Sequence, residues 1–201
     1  MNWKEFLKVK RNQVEFIITL LLLSIILTAL TTFLNFVEAR HGVVLPDPVL
    51  NFFNPTDLTW LTFALIYISI VVGIATLAKD PTRLLFTIQL YILMVAVRIL
   101  AMYLLPLDPP AKIIILKDPL VEFFGTGQTL TKDLFFSGHT ATLFILFLTS
   151  EKKTIKQIFL ISTILVAFSV LLQHVHYTID VVAAPFFTYA CYKLLKKIKS
   201  Y

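Results

Sequence analysis

The chain has 201 residues, of which 58% are hydrophobic and 15% charged, and its mean hydropathy is +0.83. So few charges cannot cover a water-soluble domain, and the composition predicts a polytopic membrane protein with a single domain over residues 1–201. The lone Cys191 excludes an internal disulfide and a cysteine metal cluster. The net charge of +6 indicates basic loops at one membrane surface rather than a nucleic-acid partner.

Apolar runs predict the membrane-spanning helices, because about 20 apolar residues are needed to cross the hydrocarbon core. The six predicted spans are about 14–37, 58–78, 84–105, 134–149, 155–173 and 177–195. The first run is too long for a signal-peptide core, and no small-x-small cleavage site follows it, so it is expected to remain as a span. The predicted fold class is therefore an all-α integral membrane bundle of six transmembrane helices.

Lysines and arginines predict how this bundle is oriented. Basic clusters precede the first span, follow the sixth, and separate spans two from three and four from five; they include Lys8 and Arg11, Lys79 and Arg83, Lys152 and Lys156, and Lys196 and Lys197. With six spans, all four clusters fall on one side, which is predicted to be cytoplasmic together with both termini. The opposite loops, which are poorer in positive charge, define the extracytoplasmic face.

Polar residues are predicted to meet at this extracytoplasmic face. His139 begins the fourth span in "SGHT", and His176 begins the sixth in "HYTID". Asp180 lies four residues after His176 and shares its helical face. Arg98 lies in the outer half of the third span, and Asp133 lies just before "SGHT". Because charged side chains at membrane depth are usually paired or functional, the group is interpreted as a site rather than as tolerated interfacial residues.

The residue types in this group suit phosphoryl transfer. Arg98 can donate two hydrogen bonds to a phosphate, and Ser137-Gly138 adds a hydroxyl and a close approach at a helix start. One histidine can attack phosphorus while a carboxylate fixes its tautomer, and a second can protonate the leaving oxygen. This chemistry needs neither a metal nor a cofactor. The alternative is a zinc site formed by His139, His174, His176 and Asp180. Arg98 would repel that cation and has no role in it.

Four motifs occur in order along the chain: "LPDPVLNFF" (45–53), "RILAMYLLPL" (98–107), "KDLFFSGHT" (132–140) and "HVHYTIDVV" (174–182). Together they resemble the lipid phosphatase/phosphotransferase superfamily of type 2 phosphatidic acid phosphatases, and more closely its sphingomyelin synthase branch. The resemblance implies that His176 is the nucleophile, Asp180 its partner and His139 the acid. It also implies that the phosphate or substrate contacts Arg98, Asp133, Ser137, Gly138 and Tyr177.

Departures from the superfamily pattern bear on the substrate. The Lys-x6-Arg-Pro motif of the wider phosphatases is absent, and Ser169-Val170 stands at the spacing of their Ser-Arg, so both differences favour the synthase branch. Lys132 stands where the synthases have Gly, and a lysine there could meet an anionic group. Asp47 and Glu122 are candidate accessory carboxylates that could deprotonate an acceptor; the alternative is that they only solvate their loops.

The resemblance implies a phosphotransferase that moves phosphocholine or phosphoethanolamine from a glycerophospholipid to a lipid hydroxyl. The expected partners are this phospholipid donor, an acceptor such as ceramide or a diacylglycerol-like lipid, and the surrounding membrane lipids. A lipid phosphate phosphatase or a phospholipase C-like hydrolase would use the same site, with water in place of the acceptor. A small transporter has less support, because the spans lack the paired halves and Gly/Pro-interrupted helices of many transporters.

Overall fold

The structure is a computed structural model that describes residues 2–117 and 130–199. Within these ranges the chain is helical, with one short 3-10 turn at Leu50–Phe52 and no strand. The helices are α1 (Trp3–Lys8), α2 (Lys10–Ala39), α3 (Thr59–Leu77), α4 (Pro81–Leu104), α5 (Gly138–Thr149), α6 (Lys153–Leu172) and α7 (Thr178–Ile198). Glu122, a predicted accessory carboxylate, lies outside the described residues.

Four of these helices, α2, α3, α4 and α6, are long and apolar enough to cross a membrane. They support the prediction of an integral membrane protein. Helix α5 has 12 residues; at about 1.5 Å per residue it is shorter than a hydrocarbon core of about 30 Å. Helix α7 carries Asp180 in its first turn and three lysines near its end, and it is not among the four. The six-span count and the cytoplasmic termini therefore remain predictions.

Two helix starts differ by four residues from the sequence prediction, more than the other four do. Helix α5 begins at Gly138 instead of 134, because the Ser137 side chain accepts a hydrogen bond from the Thr140 N–H and caps the helix. The long α2 begins at Lys10 instead of 14, after the separate short helix α1. The Trp3 indole N–H donates to the Ala78 carbonyl at 2.6 Å, which ties α1 to the turn between α3 and α4. "SGHT" thus crosses the start of a helix instead of lying inside it.

The short helix α5 lies at the centre of the packing. It contacts α3, α4, α6 and α7, whereas α2 packs along α4 and exposes most of its length. Ala141, Leu143 and Ile145 are buried among the neighbouring helices. This arrangement brings the beginning of α5 against the beginning of α7, which is where the two predicted site histidines lie.

Candidate active site

The two histidines face each other across the starts of α5 and α7. His139 lies in the first turn of α5, and His176 lies just before α7. Their ring centroids are 6.3 Å apart, with the ring planes at 67°. The Ser137 N–H donates to the Asp180 carbonyl at 3.1 Å, so a backbone hydrogen bond joins the starts of the two helices. The structure therefore brings together residues from motifs that are about 37 positions apart.

Asp180 contacts one nitrogen of the His176 ring. Its Oδ2 lies 3.4 Å from His176 Nδ1, and both side chains are fully buried. The same oxygen accepts a hydrogen bond from the Tyr177 N–H at 3.0 Å, which fixes the carboxylate against the first turn of α7. A 3.4 Å contact is longer than a strong charge-assisted hydrogen bond, and such contacts commonly tighten when substrate binds. Since Nδ1 faces the carboxylate, the opposite nitrogen, Nε2, points away from it.

Arg98 lies beneath the start of α5. It is buried on α4, its Nε donates to the Phe136 carbonyl at 2.6 Å, and its Nη2 forms an ion pair with the half-buried Asp133. A Cβ built on Gly138 would lie 2.9 Å from Arg98 Cζ, so only glycine leaves room for this guanidinium. The two predicted phosphate ligands Arg98 and Gly138 are therefore in contact, and Asp133 holds one edge of the guanidinium.

Ser137 caps α5 in this structure. Its side chain is buried and accepts hydrogen bonds from the Thr140 N–H and, at 3.1 Å, from the Thr140 hydroxyl. On the following turn the His139 ring packs edge-on against Phe63 of α3, with centroids 6.3 Å apart. The cap and the aromatic contact together fix the direction in which the first turn of α5 presents His139.

Tyr177 connects two loops to the site. Its hydroxyl donates to the Asp108 carbonyl at 2.8 Å and accepts from the Leu45 N–H at 3.2 Å. The side chain is 1% exposed, so nearly all of its surface is used in packing. Tyr177 is thus placed beside His176, but its hydroxyl is already engaged with the loops after α2 and α4.

Asp47 caps α7 from a distant part of the chain. Its Oδ2 accepts from the Thr178 N–H at 2.6 Å, and its Oδ1 accepts from the Thr178 hydroxyl at 3.1 Å. Partial burial opposes ionisation, but the hydrogen bonds from Thr178, Leu50 and Val49 outweigh it and hold the pKa of Asp47 below its ordinary value. This predicted accessory carboxylate therefore fixes the residue two positions after His176.

Lys132 forms polar contacts with the loops that follow α2 and α4. Its Nζ donates to the Arg40 carbonyl at 2.6 Å and lies 2.9 Å from Asp108 Oδ1. The hydrogen bond from Lys132 lowers the pKa of the Asp108 carboxyl below its ordinary value. The ammonium predicted to meet an anionic group is therefore already paired with a carboxylate.

Glu38 is a functional candidate that the sequence reading missed. Its carboxylate accepts from the Thr131 N–H at 2.9 Å, from the Thr131 hydroxyl at 2.6 Å and from the Lys132 N–H at 3.0 Å. These contacts hold the segment that leads to Asp133. The available signal was a carboxylate at the end of the first long apolar run, in "NFVEAR".

His174 lies outside the histidine pair. It sits between α6 and α7 with a positive φ of 55°, and its ring packs edge-on against Phe53 instead of His139 or His176. Burial, reinforced by the positive charge of Lys112, lowers the pKa of His174 below its ordinary value. Across residues 2–117 and 130–199, no three His, Cys, Asp or Glu side chains come close enough to share a metal ion.

The segment that carries both site histidines matches a known protein family. Residues 132–198 match the family described as PAP2 superfamily C-terminal. This segment contains His139, His176 and Asp180, whereas Arg98 and Asp47 precede it. No curated protein is detectably similar to the chain. The family match implies an enzyme of the lipid phosphatase/phosphotransferase type, for which membrane lipids are plausible substrates. The match covers a third of the chain, and it supports a relation of this segment to the type 2 phosphatidic acid phosphatase superfamily.

Proposed function

We propose that the protein is a lipid phosphotransferase that moves phosphocholine or phosphoethanolamine from a glycerophospholipid to a lipid hydroxyl, such as that of ceramide. The observation that carries this proposal is the facing pair of histidine rings, one of them with a buried carboxylate at its Nδ1. Two histidines, a carboxylate and an adjacent arginine supply the groups that a double displacement at phosphorus requires.

In the first half of the reaction, His176 Nε2 attacks the phosphorus of the donor. A P–N bond forms while the bond from phosphorus to the diacylglycerol oxygen breaks, and His139 gives its proton to that oxygen. Diacylglycerol leaves, and the phospho-headgroup stays on His176. Asp180 suits this step, because a carboxylate at Nδ1 keeps Nε2 available and stabilises the positive charge that develops on the ring.

In the second half, the acceptor hydroxyl replaces diacylglycerol. His139, now neutral, takes the hydroxyl proton while the oxygen attacks phosphorus and the P–N bond breaks. The headgroup is then on the acceptor, His176 is free again, and His139 carries the proton needed for the next donor. With their ring centroids 6.3 Å apart, the two histidines are close enough to act on one phosphorus centre bound beside them.

Arg98 and the start of α5 support binding of the phosphate oxygens. The guanidinium lies against Gly138, at a helix N-terminus whose N–H groups favour an anion. Asp133 already neutralises part of the charge of Arg98, so an incoming phosphate would share the guanidinium with Asp133 or displace it. The proposal places this site at the extracytoplasmic face of a single six-span domain, in line with the positions of the basic clusters.

Hydrolysis is the second candidate function. The match to a phosphatidic acid phosphatase superfamily favours it, since water could attack the same phosphohistidine. The two functions differ only in the acceptor of the second half-reaction, so they are separated by product analysis.

The test uses the purified chain with phosphatidylcholine or phosphatidylethanolamine labelled in the headgroup, with and without ceramide. Transfer predicts a new labelled lipid that forms only when ceramide is present. Free labelled phosphocholine or phosphate at the same rate with and without ceramide, and no new lipid, would contradict the transferase and favour the hydrolase.

A further inference from the structure

The end of α2 contacts the segment that precedes α5. The Glu38 Oε2 atom accepts from the Thr131 N–H at 2.9 Å and from the Lys132 N–H at 3.0 Å, and Oε1 accepts from the Thr131 hydroxyl at 2.6 Å. The Arg40 carbonyl accepts from Lys132 Nζ at 2.6 Å. The end of α2 therefore holds both the backbone and a side chain of this segment, directly before Asp133.

The same end of α2 also contacts the helix that carries Arg98. The Arg40 guanidinium donates to the Tyr103 carbonyl at 3.1 Å and to the Met102 carbonyl. Met102 lies about one helical turn after Arg98 on α4, and both side chains are buried. Arg98 in turn pairs with Asp133. The end of α2 thus contacts the chain next to each partner of the Arg98–Asp133 ion pair.

Asp133 lies on a segment outside the helices. Residues 131–134 have no regular secondary structure, and the Asp133 side chain is 28% exposed. After Asp133, the buried Leu134 and Phe136 side chains hold the segment against its neighbours. Before it, the contacts with Glu38 provide this restraint. Because a misplacement of about 1 Å can cost about a hundredfold in rate, the restraint bears on how the ion pair meets a phosphate.

We propose that Glu38 is a positioning residue for phosphate binding, which acts by holding Asp133 in reach of the Arg98 guanidinium. The inference rests on the proposed function, in which Arg98 binds the phosphate oxygens. Glu38 precedes residues 132–198, which match the family, so it adds a contribution from α2 to the site. When a phosphate displaces Asp133, Glu38 retains the segment, and the Asp133 carboxylate returns to Arg98 after the product leaves.

Two conservative variants separate the reach of Glu38 from its charge. In Glu38→Gln, the carbonyl oxygen can accept from both N–H groups, and the amide can donate to the Thr131 hydroxyl oxygen. Glu38→Asp keeps the charge, but its side chain is shorter and cannot make all three contacts unless the segment moves. The matched control is Glu15→Asp on the same helix, where the carboxylate accepts from Gln89 at 3.1 Å instead of contacting the site.

Turnover of labelled donor lipid and amide hydrogen exchange of the purified chain are measured on all three variants. Glu38→Asp should lower turnover about tenfold and speed exchange of the Thr131 and Lys132 amides. Glu38→Gln should keep at least about a third of the wild-type turnover and retain the amide protection. Glu15→Asp should match wild type in both measurements. A Glu38→Gln variant slower than Glu38→Asp, or equal amide exchange in the two, would overturn the positioning role.

An Asp133→Asn background tests whether Glu38 acts through Asp133. There, Glu38→Asp should lower turnover by less than about twofold further, because the ion pair that it positions is already lost. An undiminished loss would show that Glu38 supports the fold in general and would overturn the inference. An inactive wild type would contradict the proposed function alone, since the amide exchange of the two Glu38 variants still tests whether Glu38 holds the segment.

Discussion

The two ends of the helical bundle carry similar groups in different surroundings. At the histidine end, Arg98 and its partner Asp133 have side-chain exposures of 5% and 28%. At the opposite end, Arg83 and Glu151 have exposures of 26% and 73%. An exposed ion pair contributes little and tolerates change, whereas a buried arginine is held in one position and depends on its partners. Matched substitutions should therefore change the chemistry at the first end and leave it unchanged at the second.

The largest contrast is expected between Arg98→Lys and Arg83→Lys. A lysine at 98 cannot reproduce both the hydrogen bond to the Phe136 carbonyl and the ion pair with Asp133, so we expect the transfer rate to fall about a hundredfold. Arg83→Lys should change it by less than about twofold. Turnover of labelled donor lipid measures both, and equal rates in the two variants would contradict a phosphate-binding role for Arg98.

A second contrast uses Gly138 and Gly73, which both lie in helices. An alanine Cβ at 138 would meet the Arg98 guanidinium at 2.9 Å, and its displacement should lower the rate by about tenfold to a hundredfold. An alanine Cβ at 73 would meet only the flexible end of the Leu146 side chain, at 2.8 Å. We expect Gly73→Ala to lower the thermal midpoint slightly and keep the rate; a Gly138→Ala rate equal to wild type would break this account.

A smaller difference in turnover is expected between two variants that each remove a hydrogen bond at a helix start. Asp47→Ala removes the cap of α7, and Asp57→Ala removes a hydrogen bond to the Thr59 N–H at 2.9 Å at the start of α3. Asp47→Ala should lower the free energy of unfolding by about 1 kcal/mol, and Asp57→Ala should lower it by less because Asp57 is exposed. Only Asp47→Ala should also lower the turnover number, severalfold, because the α7 cap lies next to His176. Thermal unfolding and turnover, measured on both variants, separate positioning from stability.

The smallest effect concerns the pH dependence of stability. The pKa of His174 is lowered in the folded protein, so the unfolded chain takes up a proton near the ordinary value of 6.5 while the folded protein resists it. Stability should therefore fall as the pH drops below 6.5 towards the folded pKa. His174→Asn removes this dependence, and asparagine tolerates the positive φ. Parallel pH profiles of the thermal midpoint for wild type and variant would show that His174 does not contribute to the pH dependence of stability.

The sequence predicted the parts of the structure that follow a local pattern. The apolar runs located the long helices, and "SGHT" and "HYTID" predicted that His139 and His176 share one end of the bundle. The start of α5 could also have been read from Ser137, a good N-cap residue before an apolar run. The prediction placed it at 134 because apolar content alone does not mark a helix boundary.

Long-range side-chain contacts could not be predicted in the same way. Asp47 caps α7 across 131 positions, and Glu38 holds the Thr131–Lys132 backbone across more than 90. Such hydrogen bonds depend on the path of the loops, which no periodicity encodes. The engagement of Lys132 by Asp108 and the Arg40 carbonyl is likewise a property of the folded loops.

The most direct measurement of the central claim is capture of the phosphohistidine. The purified chain is mixed with donor lipid labelled in its headgroup phosphate, quenched in alkali within milliseconds to seconds, and mapped for protein-bound label. Wild type and the exposed-loop control His41→Ala should carry the label on His176, and His176→Ala should carry none and transfer none. Labelled protein or full transfer activity in His176→Ala would contradict the account.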